Sequence, residues 1–539
     1  MGGKPFNLVY KARNADDPGL AFLEERGWFQ VRKQNGVYWS PANLEAYYAL
    51  ADSGLEYEVS ANLNQWLKEI TYIPVLTFPD TCPLKPWQRT GVEFLTPRSR
   101  AMLSLAPGLG KTVTSAYAAA LQEDVRYVLL VCPASLLYFW KNELEKWSEH
   151  LARKPIPVVW HKETLAVEIE PDPDQQLWIL TNPETLVKCL PTFKSMEEFD
   201  LLVVDESIMY KHRESQRAKA VLEMGKRIPK TWLLTGAPAT RYLDDMWHQL
   251  HILDPRGRSS YWRWAKLYTI IENTQWATTV VANKPGAAEV LKENLRDIYF
   301  SRTQEQVADI PDWIFEDLDL PMTDKQEAVY EKLRKELLIE IADVPDAEPL
   351  RVRSHIALML RSLQVLSNPL LVGSVNTSGK WDALDELMHI FPGPFIVWVN
   401  FVRTGEIISE MLGKRFGLGR VALANGATLV EDRNLYVEKM QNGGLDAIVL
   451  NSTVGKFGFN LTRCRTAFFL ERMYDDSYFQ CIYRNRRIGT TESPIIVNMR
   501  SCTTKGYRTL DHTVHDTLDY RSGMIKTLTV GDIRRGLEG

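Results

Sequence analysis

An α/β fold of two parallel-sheet lobes is predicted by three observations. Two runs of short apolar strand signals are spaced by helix-length segments, a glycine-rich turn sits between a strand and an alanine-rich helix, and long helical patterns separate the two runs. The first run is Tyr127–Cys132, Trp178–Asn182, Leu201–Asp205 and Trp232–Gly236. The second is Phe395–Asn400, Val421–Ala424, Ala447–Ser452, Ala467–Glu471 and Pro494–Met499. Strands this short and apolar throughout belong in sheets covered on both faces, joined by crossover helices. Between the runs, Ser260–Lys284 and Lys325–Leu366 carry mixed helical patterns, partly separated by the Pro311 and Pro321 region, and are expected to protrude from the lobes or brace them.

The expected organisation is a small α/β accessory domain over 1–77, a first lobe over 78–256 and helical protrusions with the interlobe linker over 257–375. A second lobe follows over 376–505, then a C-terminal brace or extension over 506–539. With 539 residues, 45% of them hydrophobic, the chain can bury several sizeable cores. A formal charge of -4 gives no bulk argument for nucleic-acid binding, although a basic groove can exist on a nearly neutral protein. Cys82, Cys132, Cys189, Cys464, Cys481 and Cys502 show neither a compact metal-ligand spacing nor a small-domain disulfide pattern. His512 and His515 lack the further ligands of a metal centre and read as local surface or packing chemistry. No signal sequence opens the chain and no apolar stretch reaches the roughly 20 residues of a membrane helix, so a reducing, cytoplasmic setting without membrane attachment is expected.

In the N-terminal segment, Gly27–Lys33 and Gly36–Pro41 read as two aromatic strands around a turn, followed by a helical stretch from Ala42 to Leu50. Most of these aromatics are assigned to packing, with base stacking beside Arg32 and Lys33 as the alternative.

The chemistry concentrates at Leu105-Ala106-Pro107-Gly108-Leu109-Gly110-Lys111-Thr112. Gly108 and Gly110 allow backbone N–H groups to turn toward phosphates, Lys111 can neutralise the β and γ phosphates, and Thr112 can help hold Mg2+. Leu105 stands where the usual pattern begins with glycine, but the flanking Ala101–Leu105 strand and the helix from Thr112 to Leu121 supply the required order. Asp205 and Glu206 end the apolar run Leu201–Val204, where Asp205 can hold Mg2+ and Glu206 can position the attacking water. Gln88, in Leu84-Lys85-Pro86-Trp87-Gln88-Arg89-Thr90, offers an amide donor and acceptor for an adenine edge, the plain alternative being a helix-surface glutamine. Far along the chain, Gln480, Arg484 and Arg487 recur at intervals of four and three, which a helix would gather on one face. Arg484 and Arg487 can then stabilise a transferring phosphate from the opposite lobe.

In this order the motifs resemble the SNF2-type branch of superfamily 2 DNA-dependent ATPases, over approximately Leu84–Thr504. The resemblance rests on Leu84–Gln88, Gly108–Thr112, Asp205-Glu206-Ser207, Leu234-Thr235-Gly236-Ala237-Pro238 and Gln480–Gly489. Val131–Leu136, Ser378-Gly379-Lys380 and Gly455–Leu461 extend it. It implies two RecA-like lobes that close around ATP and move along duplex DNA, with interlobe coupling carried by Thr235 and Gly236. Departures occur at Ser207 and Ile208 after the acidic pair, at Lys456 in place of a glycine, and at Thr490 in place of a glutamine.

The expected function is duplex-stimulated ATP hydrolysis, with ATP and Mg2+, coupled to translocation on double-stranded DNA. Pro133, Ser135, Thr181 and Asn182 are candidate backbone contacts, so recognition would follow DNA shape more than base sequence. Around Trp28–Pro41 the chain loosely resembles accessory modules of DNA-annealing SNF2-like proteins, which suggests forked or gapped DNA and a task in fork remodelling or annealing. Replication, repair or defence proteins are candidate partners, a monomer suffices, and a bacterial or phage setting suits a chain without an evident chromatin-reader module. The competing readings are a strand-separating DNA or RNA helicase and an ATP-gated nucleic-acid clamp.

Overall fold

The computed structural model describes residues 7–11, 37–41, 76–160, 169–196, 198–273, 278–307, 310–342, 353–455, 459–472, 477–487 and 489–516, with isolated positions beyond. They divide into two compact units, 1–307 and 308–539.

Two short strands open the first unit, β1 (Asn7–Lys11) and β2 (Val37–Pro41), paired antiparallel with Asn7 opposite Pro41 and Lys11 opposite Val37. Val37–Pro41 is thus paired with a strand separated from it by 25 residues. The expected strand Gly27–Lys33, with the Trp28 and Phe29 aromatics, and the Ala42–Leu50 stretch lie outside the described residues.

The main sheet of this unit is built from β3 (Arg100–Leu105), β4 (Tyr127–Val131), β5 (Lys154–Val159), β6 (Gln175–Thr181), β7 (Leu201–Val204) and β8 (Lys230–Thr235). A hairpin of β9 (Thr269–Asn273) and β10 (Thr278–Asn283) follows, and then β11 (Tyr299–Arg302). The order is β11-β3-β8-β7-β4-β6-β5, and every neighbouring pair is parallel. Central strands are buried on both faces, as Leu201-Leu202-Val203-Val204 illustrates, which is why they read as continuous apolar runs. Edge strands escape such a reading. β5 carries Pro155 and Pro157, tolerated where a missing N–H breaks no ladder, while β11 is only four residues with two polar positions.

Helical structure throughout Ser260–Lys284 is corrected by the hairpin. The helix Tyr261–Tyr268 is followed at once by β9, because Thr269, Ile270 and Ile271, and Thr278 to Val281, are β-branched and suit a pleated ribbon better than a helix. Likewise the 257–375 segment is more than helical protrusion and linker. It supplies β11 to this sheet and the first strand of the next.

The second unit holds a six-stranded parallel sheet of β12 (Ile314–Pro321), β13 (Phe395–Val399), β14 (Val421–Ala424), β15 (Ala447–Asn451), β16 (Thr466–Phe469) and β17 (Ile495–Cys502), ordered β12-β17-β16-β13-β15-β14. One core packs Trp398, Leu450, Phe469 and Tyr478, and the other packs Leu384, Val397, Ile408 and Phe468. A third cluster joins the helices Asp324–Glu340 and Arg353–Ser367 to Leu510, Val514, Ile533 and Leu537 near the C-terminus.

Ser378-Gly379-Lys380 forms a joint in this unit. Lys380 is buried, donating to the Leu470 carbonyl at 2.6 Å and pairing with Asp511 at 2.7 Å. The end of β16 is fixed by Glu471, whose carboxylate accepts from the Ser367 hydroxyl and from the Asn400 and Phe401 N–H groups at the start of helix Val402–Phe416. That helix has no side-chain cap of its own, so a buried acid from a neighbouring strand takes the role.

On β12, Asp317 accepts from His515 at 2.9 Å and Asn498 at 2.7 Å, and Asp319 meets His512 at 3.0 Å and Arg500 at 2.7 Å. Since His512 Nδ1 accepts the Thr509 N–H, its Nε2 carries the proton donated to Asp319. Although partial burial opposes it, the bonds from His515 and Asn498 and the charge of Arg472 hold the Asp317 carboxyl well below its usual range. Its stabilisation is therefore complete above about pH 4 and is lost progressively as pH falls below that value. Asp317→Asn is expected to lower the thermal midpoint at neutral pH but to flatten its decline between about pH 4 and pH 2, read from melting curves across that range.

All six cysteines are unpaired. Among the described residues no helix is long and apolar enough to cross a membrane, and no three His, Cys, Asp or Glu side chains gather as a metal-binding group.

Candidate nucleotide site

Strand β3 ends at Leu105, the chain turns through Ala106–Gly110, and a helix runs from Lys111 to Ala120. Gly108 and Gly110 both have φ of 86°, a left-handed conformation that glycine adopts without a Cβ penalty. At Gly110 a Cβ would also stand 2.2 Å from Gln88 Nε2, so that position admits no side chain.

The loop is braced from three directions. Trp87 Nε1 and Gln88 Nε2 donate to the Leu109 carbonyl at 3.1 and 3.0 Å, Gln304 donates to the Pro107 carbonyl at 2.8 Å, and the Ala106 N–H bonds Arg302 at the end of β11. Gln88 Oε1 meanwhile accepts the Lys85 N–H at 2.9 Å, and the residue is buried. Its amide is thus engaged on both sides as a support of the loop and is not a surface glutamine, while one N–H and one lone pair are left for an adenine edge.

Asp205 stands at the end of β7, buried, with Oδ1 accepting the Glu206 N–H at 2.8 Å and Oδ2 accepting Trp140 Nε1 at 2.8 Å. Burial pushes its pKa up, while the Lys111 charge and these two donors pull it back down, so the carboxylate and the loop lysine are electrostatic neighbours. Trp140 comes from helix Leu137–Trp147 and stacks on Trp178 at 6.3 Å. Glu206 has φ of 50° and is the one described non-glycine residue with positive φ, the kind of strained backbone that functional turns retain.

The Leu234–Pro238 segment lies against the same loop. A Cβ on Gly236 would stand 3.3 Å from Pro107 and 3.6 Å from Lys111 Nζ, so this glycine permits the close approach. Thr235 Oγ1 bonds the Ala237 backbone, and Ser207 Oγ donates to Gln249, which in turn donates to the Pro238 carbonyl at 2.7 Å. The departure at Ser207 therefore has a role: its hydroxyl ties the acidic pair to the next strand end.

In the second unit the helix Ser477–Ile482 stops before the arginines, which corrects the expectation of one helical face through Gln480, Arg484 and Arg487. Arg484 lies in a turn, buried, with Nε donating to the Gln480 carbonyl at 3.0 Å. Arg487 is half-buried and donates to the Tyr483 carbonyl at 3.3 Å. Desolvation, with the Arg484 charge beside it, drives the Arg487 pKa well below the usual guanidinium range. A buried and a half-buried guanidinium group near one another favour an anion between or beside them. Thr490 holds this turn, accepting the Arg487 N–H at 3.1 Å and donating to the Asn485 carbonyl at 3.3 Å.

The candidate backbone contacts fare unevenly. Ser135 is half-buried and Pro133 buried at the start of a short 3-10 turn. Thr181 is fully buried, so its hydroxyl does not face a phosphate backbone; Asn182 Oδ1 caps the next helix by accepting the Thr185 N–H at 2.9 Å. Lys456, between Gly455 and Phe459, lies outside the described residues. Sequence reading missed Trp140 and Gln304 as parts of the site, because each reaches it through tertiary packing and neither carries a local spacing signal; Trp87 was quoted only as part of the Leu84–Gln88 motif, with no role of its own.

A phosphate loop between an interior parallel strand and a helix, with a buried acid at the end of another strand of the same sheet beside its lysine, defines a nucleotide-binding α/β protein of the phosphate-loop class. The chain belongs to the SNF2-related domain family, whose model matches residues 87–369. It is 30% identical over 233 residues to the mouse DNA annealing helicase and endonuclease ZRANB3, a match covering 42% of this chain and 21% of that protein. To the zebrafish (Danio rerio) chromodomain-helicase-DNA-binding protein 1-like it is 23% identical over 446 residues, covering 77% of this chain and 41% of that one. The chain thus spans well under half the length of these curated relatives. Among solved structures, the Sulfolobus solfataricus SWI2/SNF2 ATPase core in complex with dsDNA aligns over 81% of this chain and 90% of its own, at 24% identity and a TM-score of 0.37.

Proposed function

We propose that the protein hydrolyses ATP in response to duplex DNA and couples hydrolysis to translocation along it. The observation that carries this reading is the convergence of Lys111, Asp205 and the Gly236 backbone on one braced phosphate loop, in a chain whose other unit bears the Arg484/Arg487 pair.

Gly108 and Gly110 shape the loop whose N–H groups face the phosphates, and Lys111 neutralises the β and γ oxygens. Thr112 and Asp205 would hold Mg2+, and the fit is sound because Asp205 is buried, aimed by two donors and adjacent to Lys111. Bound there, the ion offsets negative charge on the phosphate oxygens. Glu206 orients the water, and Arg484 and Arg487 stabilise charge on the transferring phosphate when the two units close. Gly236, close to the loop, and the neighbouring Thr235 would report its occupancy to that closure.

Duplex DNA would be tracked by backbone contacts from strand ends of both units, Ser135 among them, with little base readout. Fork remodelling or strand annealing is the task favoured for such a motor, the mouse relative being a DNA annealing helicase by name.

Phosphate release measured with ATP and matched duplex DNA, single-stranded DNA and RNA tests the reading. Duplex DNA is expected to stimulate turnover most, and stimulation by RNA alone would reject the substrate. Triplex displacement then separates translocation from hydrolysis: robust duplex-stimulated turnover without displacement would reject the motor.

A further inference from the structure

The turn that carries Arg484 and Arg487 also holds a third arginine, and its partners among the described residues include four in a row. Arg486 is 1% exposed, among the largest fully buried side chains of the protein. Its Nε donates to the Pro311 carbonyl at 2.8 Å, and its Nη2 to the Ile310 carbonyl at 3.3 Å and to Asp312 Oδ1 at 2.8 Å. Its guanidinium lies 4.1 Å from the centre of the Trp313 ring. These four consecutive residues are the stretch by which the chain, having left the first unit at Val307, enters the second. Immediately after them β12 begins at Ile314.

Trp313 completes the arrangement from the other side. Its Nε1 donates to the Ile482 carbonyl at 3.1 Å, at the last residue of the helix Ser477–Ile482, and its ring meets Tyr483 edge-on at 5.0 Å. The connector therefore grips the arginine turn at Ile482, Tyr483 and Arg486, on both sides of Arg484. Burying a guanidinium is costly unless its donors are matched by well-placed acceptors, and an apolar side chain would fill a merely structural core position at less cost. A planar fork with a stacked face fixes orientation as well as distance, which a hydrophobic contact does not.

We infer that Arg486 and Trp313 clasp the connector between the two units to the Arg484–Arg487 turn, making Arg486 a positioning residue for hydrolysis. A change in the path of the connector is transmitted to the two arginines through this clasp, without any contact of Arg486 with nucleotide. This inference rests on the proposed function, since it assigns Arg484 and Arg487 to the phosphate.

The test uses the full chain with Arg486→Met, Arg486→Lys and Trp313→Phe, following kcat and KM for ATP with duplex DNA, thermal midpoints, and amide exchange over Asp312–Phe315 and Ile482–Arg487. Arg486→Met is expected to lower kcat by roughly 10-fold to 100-fold while leaving KM within about twofold, because the phosphate loop of the first unit is untouched. Arg486→Lys, which keeps the charge, should recover part of the loss, and exchange should rise in both segments together. Wild-type kcat in a folded Arg486→Met protein, or a loss of turnover that only follows the folded fraction, would overturn the clasp. Should Arg486→Met not fold, Trp313→Phe, which keeps the ring and loses one N–H, is judged by the same kcat criterion. If the wild type shows no duplex-stimulated hydrolysis, it is the proposed function that fails; the clasp is then decided by exchange, and unaltered protection in the variants rejects it.

Discussion

Replacing Lys111 by alanine is expected to lower duplex-stimulated ATP turnover by about 10²–10³-fold, the range for removing one preorganised charge from a transition state. The fold should be indifferent to the change. Lys111 Nζ makes one long contact, 3.4 Å to the Leu105 carbonyl, and the loop around it is held by Trp87, Gln88 and Gln304 instead. Loss of Lys111 also removes the cation that would neutralise the β and γ phosphates, so weaker nucleotide retention should accompany the loss of turnover, while Asp205 can answer the lost charge by taking up a proton. Phosphate release and fluorescent-nucleotide binding, set beside an unchanged thermal midpoint, check both. Near-normal turnover in the variant would remove the phosphate loop from the chemistry.

The second large effect is one of stability. At Gly379 an added Cβ would fall 2.0 Å from the Pro321 carbonyl oxygen, a backbone atom at the end of β12 that cannot swing away as a side chain would. Gly379→Ala must therefore displace either the start of helix Gly379–Ile390 or the last residue of the edge strand, and with it the Gly379 N–H bond to Gln326 at 3.1 Å. The expected cost is about 3 kcal/mol, the upper end for overpacking a filled interior. Chemical denaturation should show the second unit unfolding at lower denaturant, while nucleotide binding at the first unit's loop persists. A variant as stable as the wild type would mean that the joint yields more readily than its geometry implies.

How far the sequence carried depended on whether a signal was local. The central strands Tyr127–Val131, Leu201–Val204 and Phe395–Val399 were legible because burial on both faces demands uninterrupted apolar residues, and the edge strand Val421–Ala424 because it happens to be apolar throughout. β5, β11 and β12 were not, since an edge strand needs neither an apolar run nor every N–H; β12 reads Ile-Phe-Glu-Asp-Leu-Asp-Leu-Pro and is mostly exposed. The arginine turn shows the opposite failure. Intervals of four and three suggest a helix, but the Trp313 indole takes the Ile482 carbonyl and the chain turns there.

By itself the sequence determined the α/β class, the phosphate loop at Leu105–Thr112, the acidic pair and the family resemblance, because each is written in contiguous residues whose chemistry needs that spacing. Only the tertiary structure decided what holds those groups. Trp140 on Asp205 spans 65 positions, Gln304 on the phosphate loop 197, and Arg486 on the connector about 175. Such pairs leave no periodic trace, since the position of a hydrogen-bond donor is fixed by how the chain packs and not by its distance along it.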